Sequence, residues 1–140
     1  LQSQSSFHPA SICQHAAVAG LNGGRDFLVP QLLAYHERRD TLVLELNRID
    51  GITCPVPDGA FYVFPSCTGL FGRLAPNGQT LASDTDVVNY FLDTAGVALV
   101  PGQAFGFPGH FRVSYATGID TLLSACERIQ LACEKLIETN

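Results

Sequence analysis

VALVPGQAFGFPGHFRVSYAT, residues 97–117, governs how the rest of the chain is read. A short apolar run over 97–100 stops at Pro101-Gly102. A loop rich in glycine and proline follows, and residues 111–116 resume the strand pattern. One charged residue, Arg112, stands inside that second run. An arginine among strand residues beside such a loop suits capture of a carboxylate or phosphate. Its planar fork makes paired, charge-assisted hydrogen bonds that a lysine does not reproduce. An edge-strand arginine directed at water fits the same spacing.

Working outward, Ser83 or Asp84 is expected to cap a helix running to about Thr94, with Gly96 as its stop. After Gly118 a last helix is expected to about Glu138, its apolar stripe being Leu122, Leu123, Cys126, Ile129, Cys133, Leu136 and Ile137. Upstream, residues 52–57 and 60–65 read as two strands parted by a Pro57-Asp58-Gly59 turn. Alternation in the second puts Phe61 and Val63 on one face and Tyr62 and Phe64 on the other. One face then belongs to the core and the other lines a site, although a core on both sides fits equally well. Residues 66–83 form a long irregular connection. The longest helix is expected from an Asp26 cap to about Asn47, with Val29, Leu32, Leu33, Leu42, Val43, Leu46 and Ile49 at helical spacing. Before it, a helix of small residues over 10–21 starts behind Pro9 and stops at Asn22-Gly23-Gly24, and residues 1–8 read as extended. This order predicts an α+β (α/β) layer domain with a small sheet of about four strands packed with helices.

The chain has 140 residues, one domain's worth, with 46% hydrophobic and 15% charged residues. A net charge of -5 argues against nucleic acid or an anionic membrane surface as partner. No apolar run approaches the length of a membrane span. The five cysteines show no metal-ligand spacing and read as reduced, mostly buried thiols of a cytoplasmic protein. His8 and His15 read as surface residues, so no metal site is expected. Phosphate-loop, dinucleotide-binding, metalloprotease and serine-hydrolase motifs are absent, and nothing pairs a nucleophile with a base. The chain has no methionine and one lysine, Lys135, and is expected to be a fragment of a longer polypeptide.

Three stretches together resemble the C-terminal part of the class I aminotransferases of pyridoxal-phosphate fold-type I, most closely the bacterial aspartate aminotransferases. They are PDGAFYVFP (57–65), SDTDVVNYFLDTAGVALVPGQAFG (83–106) and FRVSYAT (111–117). The opening QSQSSFHPASICQHAAVAGLNG (2–23) resembles the segment before the small domain of the same proteins, with Phe7-His8 where the family usually carries a small polar residue and asparagine.

The resemblance implies that Arg112 holds the α-carboxylate of an amino-acid or 2-oxo-acid substrate, and that Phe61 lines its pocket. The Pro101-Gly102 and Phe105-Gly106 turns would carry the chain back toward that pocket. It implies a division into 1–25, the end of a large cofactor-binding domain, 26–49, a bridging helix, and 50–140, the small domain. It also implies a homodimer and, in the full-length parent, pyridoxal phosphate. The Schiff-base lysine, the phosphate-cradling loop and the residues that tune the cofactor's ring have no counterpart here, so no catalytic or cofactor-binding residue is assigned and the chain alone is expected to be inactive. Two other readings compete: a free-standing amino-acid or carboxylate-binding module built on Arg112, and a self-associating truncated fragment that covers the apolar face of the 10–21 helix.

Overall fold

Short elements punctuated by glycine and proline make up the chain, of which the computed structural model describes residues 8–138. The extended opening expected over 1–8 lies outside the described residues, Phe7 included, except for His8. Two compact units are distinguished, Leu1–Leu32 and Leu33–Asn140. In the first, helix α1 (Ser11–Asn22) forms where small residues cluster and ends at Gly23, and none of its residues is buried. Helix α2 (Leu28–Leu46) begins there and continues into the second unit. Its expected stripe is realised only near its end. Leu42, Val43 and Leu46 are buried, whereas Val29, Leu32 and Leu33 are exposed.

The second unit holds a small antiparallel sheet of three strands, β1 (Tyr62–Val63), β2 (Val100–Pro101) and β3 (Phe111–Ser114), in the order β1-β3-β2. The fourth expected strand, over 52–57, does not form. Thr53 makes one isolated bridge to Ser66. Beyond it, Pro55 and Pro57 have no N–H to give a ladder. Cys54 is already satisfied by Asn47, whose amide donates to the Cys54 carbonyl and accepts from its N–H, both at 2.8 Å.

Helix α3 (Asp84–Ala95) shows why its ends were legible. The Ser83 hydroxyl accepts from the Asp86 N–H at 3.2 Å and donates to the Asp86 carboxylate at 2.8 Å. At the other end Gly96 takes the left-handed conformation, φ 63°. Arg128 of helix α4 (Ile119–Cys133) donates to the Ala95 carbonyl at 2.7 Å, placing a cation at the negative end of the α3 dipole. Tyr90 of α3 donates its hydroxyl to the Ala132 carbonyl at 2.8 Å, which ties the same two helices farther along. α4 stops five residues short of the expected Glu138. Ile137 instead exchanges two hydrogen bonds of 2.9 Å with Leu74, so the chain leaves the helix to pair with the 66–83 connection. Leu123 and Ile137, expected in the stripe, are exposed, and Ala132 is buried in their stead.

Phe91 of α3, Phe111 of β3 and Ile129 of α4 meet in the core with Leu42 and Leu46 of α2, each contributing roughly 1.5–3 kcal/mol by leaving water. Four of the five cysteines are buried, Cys13 is exposed, and all are free thiols. Asp84, at the start of α3, is the buried charged residue; its carboxylate accepts the Gln103 N–H at 2.8 Å and so holds the turn Gly102–Phe105 against the helix. That turn needs glycine at its head. A Cβ on Gly102 would lie 2.2 Å from the Phe107 carbonyl oxygen and 2.9 Å from that of His110.

Gly102→Ala is therefore expected to displace the turn and cost about 2 kcal/mol or more, as overpacking against fixed backbone does. A urea midpoint equal to the parent's would show that the loop yields freely. Desolvation gives a second expectation. It pushes the Cys54 and Cys126 thiols up to about 11, and those of Cys67 and Cys133 up to about 12, from an ordinary 9.0. The folded chain thus keeps protons that the unfolded chain releases above 9.0, so stability is full below that pH and falls as the pH rises through about 11–12. Denaturant midpoints followed from neutral to alkaline pH should show this decline, and a flat profile through about 11 contradicts it.

Candidate functional site

Strand β3 pairs on both sides, with Val63 opposite Val113, Tyr62 opposite Ser114, and Val100 opposite Arg112. Side chains alternate along it. Phe111 is fully buried and Val113 packs against the core, which sends Arg112 and Ser114 to the other face of the sheet. In β1 the same alternation buries Val63 and leaves Tyr62 and Phe64 half-buried on the open face beside Arg112. The alternation in AFYVFP separates these two faces without saying which of them is open.

Arg112 is half-buried there among aromatic rings. Its guanidinium carbon lies 4.5 Å from the Tyr62 ring centroid and 4.7 Å from that of Phe105. The wall continues outward: Phe64 stacks on His110 at 5.4 Å and 9°, and Phe107 approaches the same imidazole at 4.5 Å. His110 is itself oriented by a 3.1 Å contact between Nδ1 and the Pro108 carbonyl. Among the described residues the Arg112 side chain has no hydrogen-bond or ion-pair partner. Its N–H donors are left unpaired by the protein, and such a fork can make charge-assisted bonds to an oxyanion.

Phe61, the second residue expected to line the site, is 43% exposed. Its ring lies 4.2 Å from Tyr62 and is not the one over the guanidinium. The turn before it is built with care. Ala60 has φ 66°, a left-handed conformation uncommon for a residue with a Cβ. Tyr115 holds it, donating its hydroxyl to the Ala60 carbonyl and its N–H to the Phe61 carbonyl, both at 2.9 Å. Burial raises the Tyr115 hydroxyl above its ordinary pKa, so it remains a donor. Tyr62 and Phe105 escaped assignment from the sequence as neighbours of the arginine. The available signal was the period-two face of β1 for the one, and for the other the aromatics on both sides of Gly106.

A separate cleft of about 440 Å³ has Arg48, Asp50, Arg73 and Glu138 in its walls. Arg73 is already paired there with the Asp50 carboxylate and lies 3.7 Å from Glu138, so its charge is spent within the protein. No group of three or more potential metal ligands occurs among the described residues, and none of their helices is long and apolar enough to cross a membrane. The sole lysine, Lys135, is exposed just beyond α4.

Residues 1–129 match the model of the aminotransferase class I and II family. The chain is 48% identical over 136 residues to the aspartate aminotransferase of Rhizobium meliloti (strain 1021), an alignment that covers 97% of this chain and 33% of that protein. It is 43% identical to the aspartate/prephenate aminotransferase of Cereibacter sphaeroides, with 97% of this chain and 34% of the relative covered. The crystal structure of the aspartate aminotransferase from Rhizobium meliloti superposes with a TM-score of 0.93 over 96% of this chain and 34% of its own. An alanine aminotransferase from Pyrococcus furiosus, 34% identical, superposes at 0.80 over 90% of this chain and 30% of its own. The chain thus spans about a third of the length of the relatives it matches. By the match of the family model along nearly its whole length, the chain belongs to the class I and II aminotransferases.

Proposed function

We propose that this chain is the substrate-carboxylate-binding C-terminal part of a pyridoxal-phosphate-dependent aminotransferase that moves an amino group between an amino acid, aspartate first among them, and a 2-oxo acid. The observation that carries this reading is the unpaired fork of Arg112 on an aromatic face of the sheet, in a chain of this family. Two charge-assisted hydrogen bonds from that fork to an α-carboxylate would contribute roughly 1.5–3 kcal/mol each. They would also fix the substrate's orientation for reaction at its Cα. On the same reading residues 1–25 close the large domain, 26–49 bridge to the small domain, and 50–140 form it. The working enzyme is a homodimer, and the free thiols suit the reducing cytoplasm.

The residues around Arg112 do not fit the cofactor. Pyridoxal phosphate supplies an electron sink and needs an amine to hold it. This chain's one lysine, Lys135, is an exposed residue past the end of α4 and has none of the surroundings that activate such an amine. The chain's own contribution is to bind and orient the carboxylate.

In the aminotransferase that carries this chain, Arg112→Lys is expected to keep the positive charge, lose the paired geometry, and lower kcat/KM for the amino donor by about tenfold to a hundredfold. Unchanged kinetics would remove Arg112 from the site. The 140-residue chain alone, supplied with pyridoxal phosphate and substrates, should give no turnover. Measurable transamination by it would overturn the division of labour proposed here.

A further inference from the structure

A guanidinium has two kinds of surface, the in-plane N–H edges that grip an oxyanion and the flat faces that stack on aromatic rings. Around Arg112 the protein supplies aromatic rings and no acceptor for the N–H edges. The Tyr62 ring, from β1, and the Phe105 ring, from the turn after β2, approach to 4.5 and 4.7 Å, and β1 and β2 flank the strand that carries the arginine. Both rings are themselves held. Tyr62 lies in the ladder opposite Ser114, with Phe61 against it at 4.2 Å. Phe105 sits edge-on to Phe64 at 6.0 Å, in the turn that the buried Asp84 carboxylate fixes through the Gln103 N–H. No carboxylate of the protein among the described residues steers the arginine, so its orientation depends on these rings.

We propose that Tyr62 and Phe105 are positioning residues for the carboxylate-binding arginine, holding the guanidinium by cation–π contact so that its paired N–H edge faces a planar oxyanion. The inference rests on the role proposed above for Arg112. Holding the fork in one orientation lowers the entropy lost when a long, flexible side chain is fixed by its ligand.

The test uses the full-length aminotransferase carrying these residues, with maleate as the carboxylate probe and calorimetric Kd as the readout beside KM and kcat for the amino donor. Phe105 is 49% exposed, so Phe105→Leu removes the ring without opening the core. The expected result is a Kd for maleate and a KM raised about threefold to tenfold, the range of a partly exposed cation–π contact, with kcat within about twofold. Tyr62→Leu should act alike, and Phe105→Tyr and Tyr62→Phe, which keep a ring, should bind as the parent does. In an Arg112→Gln background the loss of the Phe105 ring should have no further effect, since nothing remains to be positioned. Parent-like binding by both leucine variants would overturn the proposal. So would an equal loss in the Arg112→Gln background, because the rings would then touch the ligand directly. If Arg112→Gln by itself binds maleate as tightly as the parent, the assignment of the carboxylate site fails, independently of the rings.

Discussion

The fold and the candidate site depend on the same constraint, the pairing of a four-residue strand on both of its edges. With a side-chain period of two, β3 cannot place Phe111 and Val113 against the core without sending Arg112 to the opposite face. A slip of one residue would bury a guanidinium with no partner and expose a phenyl ring, a combination costing several kcal/mol. The apolar demand of the core thus fixes where the charge stands. It needs no separate device to aim the arginine outward, only to control what surrounds it there.

That surrounding is set from a distance by a chain of backbone bonds. Ser83 starts α3, and the next residue, Asp84, buries its carboxylate at the positive end of the helix to accept the Gln103 N–H. Gly102 permits the tight approach of the Phe107 carbonyl that this turn requires. On the other flank Tyr115 holds Ala60 left-handed, so that the chain enters β1 at the residue that puts Tyr62 on the open face. Two loops, each fixed by one buried polar group, therefore deliver the two rings to one guanidinium.

The extent to which this was legible in the sequence follows from what kind of force decides each element. Helix α3 was readable at both ends because its signals are local: a serine bonding three residues on, and a glycine needed for positive φ. The arginine was readable as the one charged residue in a strand-like run, although the run is the central strand and not an edge. The strand expected over 52–57 was lost to a tertiary competitor, the Asn47 amide, which satisfies Cys54 across seven positions and leaves no trace in a window of strand residues. The last helix reads on to Glu138 by periodicity, yet Ile137 finds a better partner in Leu74, far away in the chain. Alternation grouped Tyr62 with Phe64 without saying which face of β1 is open, and meeting Arg112 depends on the register with β3, which is not written in either strand alone.

Two of the half-buried arginines of the second unit, Arg73 and Arg112, stand in contrasting surroundings. Arg73 is met by Asp50 and lies near Glu138, so its charge is neutralised inside the fold and binds two distant segments together. Arg112 is met by hydrocarbon and π faces only, which do not neutralise it. The N–H donors of this cation have no protein acceptor, so in the folded chain they turn to water. On the proposed reading an oxyanion would take those donors, and a fork already oriented would lose less entropy in meeting it. A fold selected for stability alone would have placed an acid opposite this residue, as it did for Arg73. The rings in place of the acid leave the fork unpaired, which is what the proposed carboxylate site requires.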